Sequence, residues 1–415
     1  MAGSFRTSNL FVRCQFVAMI VVAKSSFCLA EQSKPIDITD SIEFKSSRID
    51  YNGPTTDVVS TLKRRMERGE ISFTNRGRSG YLIDLLRALE ISVSSQTLVF
   101  SKTSLQQEFI NPKNPRALYF NDEVAVGFIP GSPVLEIAAH DPKKGAIFYT
   151  LAQPESGTPT VKVTFQREDR CIECHCSNAT LGVPGYMLRS FRVDADGERE
   201  LDGTKSEVTH ATPFEKRWGG WYVTGRTNTI KHMGNLFGED EFARHETESS
   251  FRGTLTDLRA LVDLNQYPTQ HSDMVALMVF EHQAEYYNLV TRIHYEHQMN
   301  VHSDAEERLA RYAMMEDEAP LPGHVVGSTQ YTCWYQSLCS TDRSGNEIRR
   351  LNLKTRLFEH RLSPMVKSRS FQCLPPDVKA RLWKRIQAGR ADIAGQLSPA
   401  EPGHRTTQTT QANPN

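Results

Sequence analysis

Five consecutive residues, Cys171-Ile172-Glu173-Cys174-His175, constrain this chain more than any other stretch. Two thiols separated by two residues reach the two vinyl groups along one edge of a porphyrin. A histidine directly after the second thiol then lies under the iron. The pattern predicts one haem c per chain, covalently bound through Cys171 and Cys174, with His175 as the proximal iron ligand. Two other readings use the same residues. A structural zinc knuckle would recruit Cys176, but zinc wants a second ligand pair at short spacing, and Cys333, Cys339 and Cys373 are scattered far along the chain. An ordinary pair of disulfide cysteines is the other.

Haem attachment of this kind takes place outside the bacterial cytoplasm, so the motif calls for an exported chain. Residues 1–30 have the order of a secretory signal: Arg6 and Arg13, an apolar run from Phe16 to Ala23, then small residues ending at Ala30. Lys24 interrupts the apolar part, so cleavage after Ala23 competes with the preferred position after Ala30. The run is far shorter than the ~20 apolar residues of a spanning helix. No later segment approaches that length, and the mature chain is expected to have no membrane span and a periplasmic or otherwise exported location. Loss of residues 1–30 takes Arg6, Arg13 and Lys24 from the 49 basic residues, leaving 46 against 49 acidic ones. That near-balance gives no reason to propose nucleic acid as a partner; a redox partner protein is expected, of unknown identity. What remains is far longer than the roughly one hundred residues of a small domain, so most of the chain does something besides hold one haem.

The fold class expected is α+β. Residues 31–165 open with a polar extended leader, followed by helices at 57–69 and 81–89. Short β-branched and aromatic runs come next at 96–101, 117–120, 124–128, 134–139, 146–150 and 161–165, separated by turn residues. They predict an antiparallel sheet with packed helices. A haem-binding segment at 166–238 includes a short helix at 171–177 and a strand at 186–192. There Trp218 and Trp221 flank Gly219-Gly220 and suggest a pocket wall. Residues 239–391 read as mostly helical. The clearest helix runs from Ser272 to about His302, with one apolar stripe that carries His282; others are expected at 352–361 and 377–387. The tail, 392–415, lacks apolar residues and is expected to be disordered.

Function turns on the group opposite His175. A methionine or second histidine closes the iron and suits electron transfer, whereas an open position permits ligand binding or peroxide chemistry. Met233 is the first choice for this distal ligand, with His232, His210 and Met187 as alternatives. An exported monohaem protein that transfers single electrons is the leading expectation. A peroxidase-like oxidoreductase, with His210, Arg217 and Arg226 beside an open iron, is the alternative. A haem-based sensor or binding module is the third. Cys176, Cys333, Cys339 and Cys373 allow three disulfide connectivities, Cys333–Cys339 being the most local.

The stretches LVFSKTSLQ (98–106), RALYFNDEVAVGF (116–128), GAIFYTL (145–151), CIECHCSNATLGVPGYMLRS (171–190), PFEKRWGGWYVTG (213–225) and MVALMVFEHQ (274–283) carry a resemblance. The chain resembles a group of secreted bacterial proteins, frequent in planctomycetes, described only as cytochrome c domain-containing. The resemblance implies one covalent haem on Cys171 and Cys174 with His175 as axial ligand. Cys176 departs from what the group leads one to expect.

Overall fold

The alternating runs between Thr97 and Arg167 assemble into one antiparallel sheet that organises everything else. The computed structural model describes Met1 and residues 33–154, 163–200, 206–227, 229–251, 253–342 and 344–396. The expected signal segment after Met1, residues 161 and 162 of the 161–165 run, and the tail beyond 396 lie outside these residues.

In chain order, β1 (Lys34–Pro35) is followed by α1 (Val58–Glu67) and α2 (Leu82–Ala88). The sheet strands are β2 (Thr97–Val99), β3 (Arg116–Phe120), β4 (Val124–Phe128), β5 (Val134–Asp141), β6 (Gly145–Ala152), β7 (Phe165–Arg167) and, later, β8 (Trp221–Tyr222). They lie in the order β7-β6-β5-β4-β3-β2-β8, each antiparallel to its neighbours. The helices α3 (Ile172–His175), α4 (Glu239–Thr247), α5 (Met274–Met299), α6 (Ala305–Ala313), α7 (Thr329–Ser337), α8 (Arg369–Gln372) and α9 (Pro376–Gln396) complete the fold. The short β9 (Val301–His302) pairs in parallel with β1. The class is α+β, as the sequence predicts.

Period-two alternation sends the two faces of the sheet to different cores. Leu98, Ala117, Tyr119, Val126, Ile137 and Ile147 pack with α1 and α2. Phe120, Ala125, Ala146 and Phe148 pack with α5 on the other face. The start of α1 shows how local chemistry fixes a boundary. Asp57 caps it by accepting from the amides of Val59 and Ser60 at 2.8 and 2.9 Å, and Gly69, at φ +74°, ends it.

Helix α5 departs from the single-stripe expectation. Of its 26 residues, 22 are buried, so it is enclosed on all sides. The sheet lies against one flank, and α6, α7 and α8 pack on the others. A helix in that position must pair its polar side chains internally. Other differences have simple causes. The polar leader is not loose, because Ile38, Ile42, Ile49 and Tyr51 are buried and β9 pairs with β1. Residues 186–192 form no strand; Arg189 and Val193 make only isolated bridges. Residues 352–361 form no helix, since Asn352 turns the chain back with its side chain and Leu351 bridges Phe358. Helix α9 continues to Gln396, past the boundary placed at 391. Of the strand expected at 161–165, Val163 and Thr164 lie outside the sheet and β7 begins at Phe165.

Candidate functional site

The five-residue motif forms a single tight turn of helix against the sheet. Cys171 closes a 3-10 turn (Asp169–Cys171) capped by Glu168, and α3 follows to His175. Cys171 is half-buried and Cys174 exposed, and both thiols are free. Burial, with the charges of Glu136 and Glu168, pushes the Cys171 thiol up to about 12.

His175 is held by one residue twice. The Gly185 amide donates to the His175 carbonyl at 2.9 Å, and Gly185 O lies 3.0 Å from the ring Nδ1. A carbonyl only accepts, so Nδ1 carries the proton and the Nε2 lone pair is left available. This is the support given to metal-ligating histidines, whose second nitrogen is fixed by a backbone acceptor. The ring also packs on Phe148 of β6, with centroids 4.8 Å apart. Burial, reinforced by the positive charges of Arg116 and Arg189, lowers its pKa to about 4, so the imidazole is neutral near pH 7.

The loop that presents Gly185 is built by α5. Asn288 accepts from the Tyr186 amide and donates to the Tyr186 carbonyl, both at 2.8 Å. One turn further on, Arg292 donates to the carbonyls of Leu181 (2.9 Å), Asp40 and Asp37 while paired with Glu296. Within the loop, Thr180 Oγ1 donates to Val183 O at 2.8 Å and accepts from the Ser177 amide at 3.0 Å. Gly182, at φ +69°, passes so close to the Asp40 backbone that a Cβ there would collide with it. Sequence reading missed Asn288, Arg292 and Gly185. More than one hundred positions separate Asn288 from Tyr186, and no local pattern marks the pair.

The other predicted residues fall in several places. His232 is buried with both ring nitrogens engaged, Nε2 with Thr254 at 3.1 Å and Nδ1 accepting from the Gly234 amide at 3.0 Å. His210 places Nδ1 2.9 Å from Nδ1 of His282, whose Nε2 meets Ser363 Oγ at 2.6 Å, and it stacks on Tyr312. Burial depresses the pKa of both histidines, which are therefore neutral. Arg217 donates to Glu281 at 2.8 Å, to His210 O at 2.8 Å and to Thr212 O at 2.6 Å. Trp218 donates to the same Glu281, which burial lifts to about 7. His210 and Arg217 are thus brought together inside the core, while Arg226 lies at the surface. Of the two tryptophans, Trp218 is enclosed beside His232, and Trp221 sits on β8 with its ring N–H on Arg189 O at 2.7 Å. Met233 is half-buried beside Ser190 and Gly219. Met187 is also half-buried, two residues past Gly185.

Cys176, Cys333, Cys339 and Cys373 all carry free thiols. Among the described residues no group of three or more His, Cys, Asp or Glu is arranged to hold a metal ion. No helix among them is long and apolar enough to cross a membrane. A surface depression beside α1 and α2 is lined by Arg65, Phe73, Asp84 and Arg87, but Asp84 is already paired with Arg76 and the Thr74 amide. Comparison with family models, curated proteins and solved structures finds no match to this chain.

Proposed function

We propose that this is an exported monohaem c-type protein, akin to the secreted cytochrome c domain-containing group, that transfers single electrons. The observation that carries the reading is the state of the motif. Two accessible thiols precede a histidine whose Nδ1 is fixed on Gly185 O, leaving Nε2 as the one ring nitrogen to ligate. Cys171 and Cys174 hold the haem through thioethers, and His175 ligates it. When bound, the group supplies a one-electron couple at its iron. The protein orients the ligand through Gly185 and Asn288 and keeps the His175 imidazole neutral, with its proton on Nδ1. For the sixth position, His232 spends both ring nitrogens on other partners and His210 spends its Nδ1 on His282. A thioether, Met233 first and Met187 as the alternative, would close the iron and suit it to electron transfer.

The test uses full-length protein matured in a bacterial periplasm with haem-attachment machinery. Wild type retains haem stain on a denaturing gel, and Cys171→Ala with Cys174→Ala loses it. Stain retained by the double variant defeats the assignment. A low-spin reduced spectrum, together with the far-red thioether–iron band in the ferric state, supports electron transfer. The band disappears in Met233→Ala or Met187→Ala, whichever residue ligates. A high-spin spectrum that shifts with peroxide or carbon monoxide defeats electron transfer in favour of enzyme or sensor.

A further inference from the structure

The strands beside His175 are unevenly covered. On β3 and β5, Ala117, Tyr119, Leu135 and Ile137 are buried, while Arg116, Leu118, Glu136 and Ala138, which alternate with them, are only half-buried. Register brings the second set together. Leu118 lies opposite Gly127, Gly127 opposite Glu136, and Ala138 opposite Phe148, the residue that packs on His175. The result is a ledge with small or apolar side chains, on the sheet face that α5 covers further along through Phe120 stacked on Phe280.

Across this ledge runs one ion pair. Arg116 Nη1 meets Glu136 Oε2 at 2.8 Å, and Ser104 donates to Glu136 Oε1 at 2.6 Å. The pair spans from β3 to β5 directly over Gly127, where a Cβ would lie in ordinary contact with both side chains at 3.4–3.5 Å. Both partners act electrostatically on Cys171 and on His175, and Arg189 acts on His175 as well. The Nε atoms of Arg116 and Arg189 are buried with no hydrogen-bond partner, although Arg189 Nε lies in an ion pair 3.8 Å from Glu207 Oε1. A buried donor left unmade is costly, and guanidinium groups match carboxylates well.

We propose that this sheet ledge would border the haem, with Arg116 and Arg189 placed to donate to its carboxylates and the Arg116–Glu136 pair setting its reduction potential. The inference rests on the haem reading above. Fixed positive charge beside an iron centre favours the reduced, less positive form and raises its potential; fixed negative charge does the opposite.

Wild type, Arg116→Gln, Glu136→Gln, Arg189→Gln and, as a control on the opposite sheet face, Arg64→Gln are matured in a periplasm. Each is assayed for haem stain and titrated spectroelectrochemically. Arg116→Gln and Arg189→Gln shift the midpoint potential downward, Glu136→Gln shifts it upward, and Arg64→Gln leaves it in place. Opposite shifts from the two halves of one ion pair cannot come from general loosening of the fold, which would move both the same way. Should one arginine variant fail to accumulate, the other and Glu136→Gln still carry the comparison. Full haem stain with unmoved potentials in every variant overturns the ledge and leaves the haem reading standing. Absence of stain in the wild type overturns the haem reading itself, and this inference with it.

Discussion

Helix α5 serves two polar clusters about two turns apart, and they are built on opposite principles. Around Glu281 and His282 the groups are enclosed, and the charged ones are spent on neighbours. Arg217 uses its donors on Glu281, His210 O and Thr212 O, and Trp218 shares the same carboxylate. Around Asn288 the polar groups are spent on backbone, and what that backbone presents is left unspent: two free thiols and one imidazole nitrogen. Both arrangements cost the helix its apolar pattern. A closed network specifies the core, whereas a rigid support carrying unused donors and nucleophiles is how a protein prepares a site.

Acid has the largest expected effect, acting through buried histidines in both clusters and elsewhere in the core. His140, His210, His232, His282 and His294 are all lowered by burial, to about 3 for His140, His232 and His282 and about 4 for His294, from an ordinary 6.5. The unfolded chain takes up these protons below 6.5 and the folded chain does not, so stability present above 6.5 is lost as pH falls toward 3–4. Glu281 and Glu285, lifted to about 7, act in the opposite sense and lose stability as pH rises from 4.5 through 7. The histidines outnumber them, so urea midpoints peak near neutrality and fall steeply below pH 6.5. A flat profile between pH 6.5 and 4 breaks the account of the closed cluster.

Single substitutions give smaller effects. Glu281→Leu strands the buried Arg217 guanidinium and should cost about 3–5 kcal/mol in denaturant unfolding, with much of the loss recovered in Glu281→Leu plus Arg217→Met. An unchanged midpoint would mean that Arg217 reaches water. Asn288→Ala removes partners from the amide and carbonyl of Tyr186, worth about 1–3 kcal/mol. It should also lower haem incorporation, because Gly185 directly precedes the released residue; full incorporation would show that the loop holds His175 without α5.

The sheet was legible because alternation in one strand needs no partner to be recognised. The runs at 124–128 and 134–139 became β4 and β5 with little adjustment. Helix α1 was legible for a similar reason, since Asp57 and Gly69 mark its ends by local chemistry. The stripe read on α5 was misleading. A helix buried on every side has no polar face, and its Glu281, His282 and Asn288 look like surface residues until their partners arrive from distant segments.

The sequence by itself carries the proposed haem reading of Cys171, Cys174 and His175, because its three requirements are met within five positions and do not depend on the rest of the fold. It also determined the strand pattern, through a period that each segment carries alone. Only the tertiary structure decided which nitrogen of His175 is held, because Gly185 is placed by Asn288 from a helix one hundred residues away. Only the sheet register decided that Arg116 and Glu136 meet over Gly127 beside the motif. Local sequence encodes which groups a residue offers; long-range pairing alone selects which of them stay free.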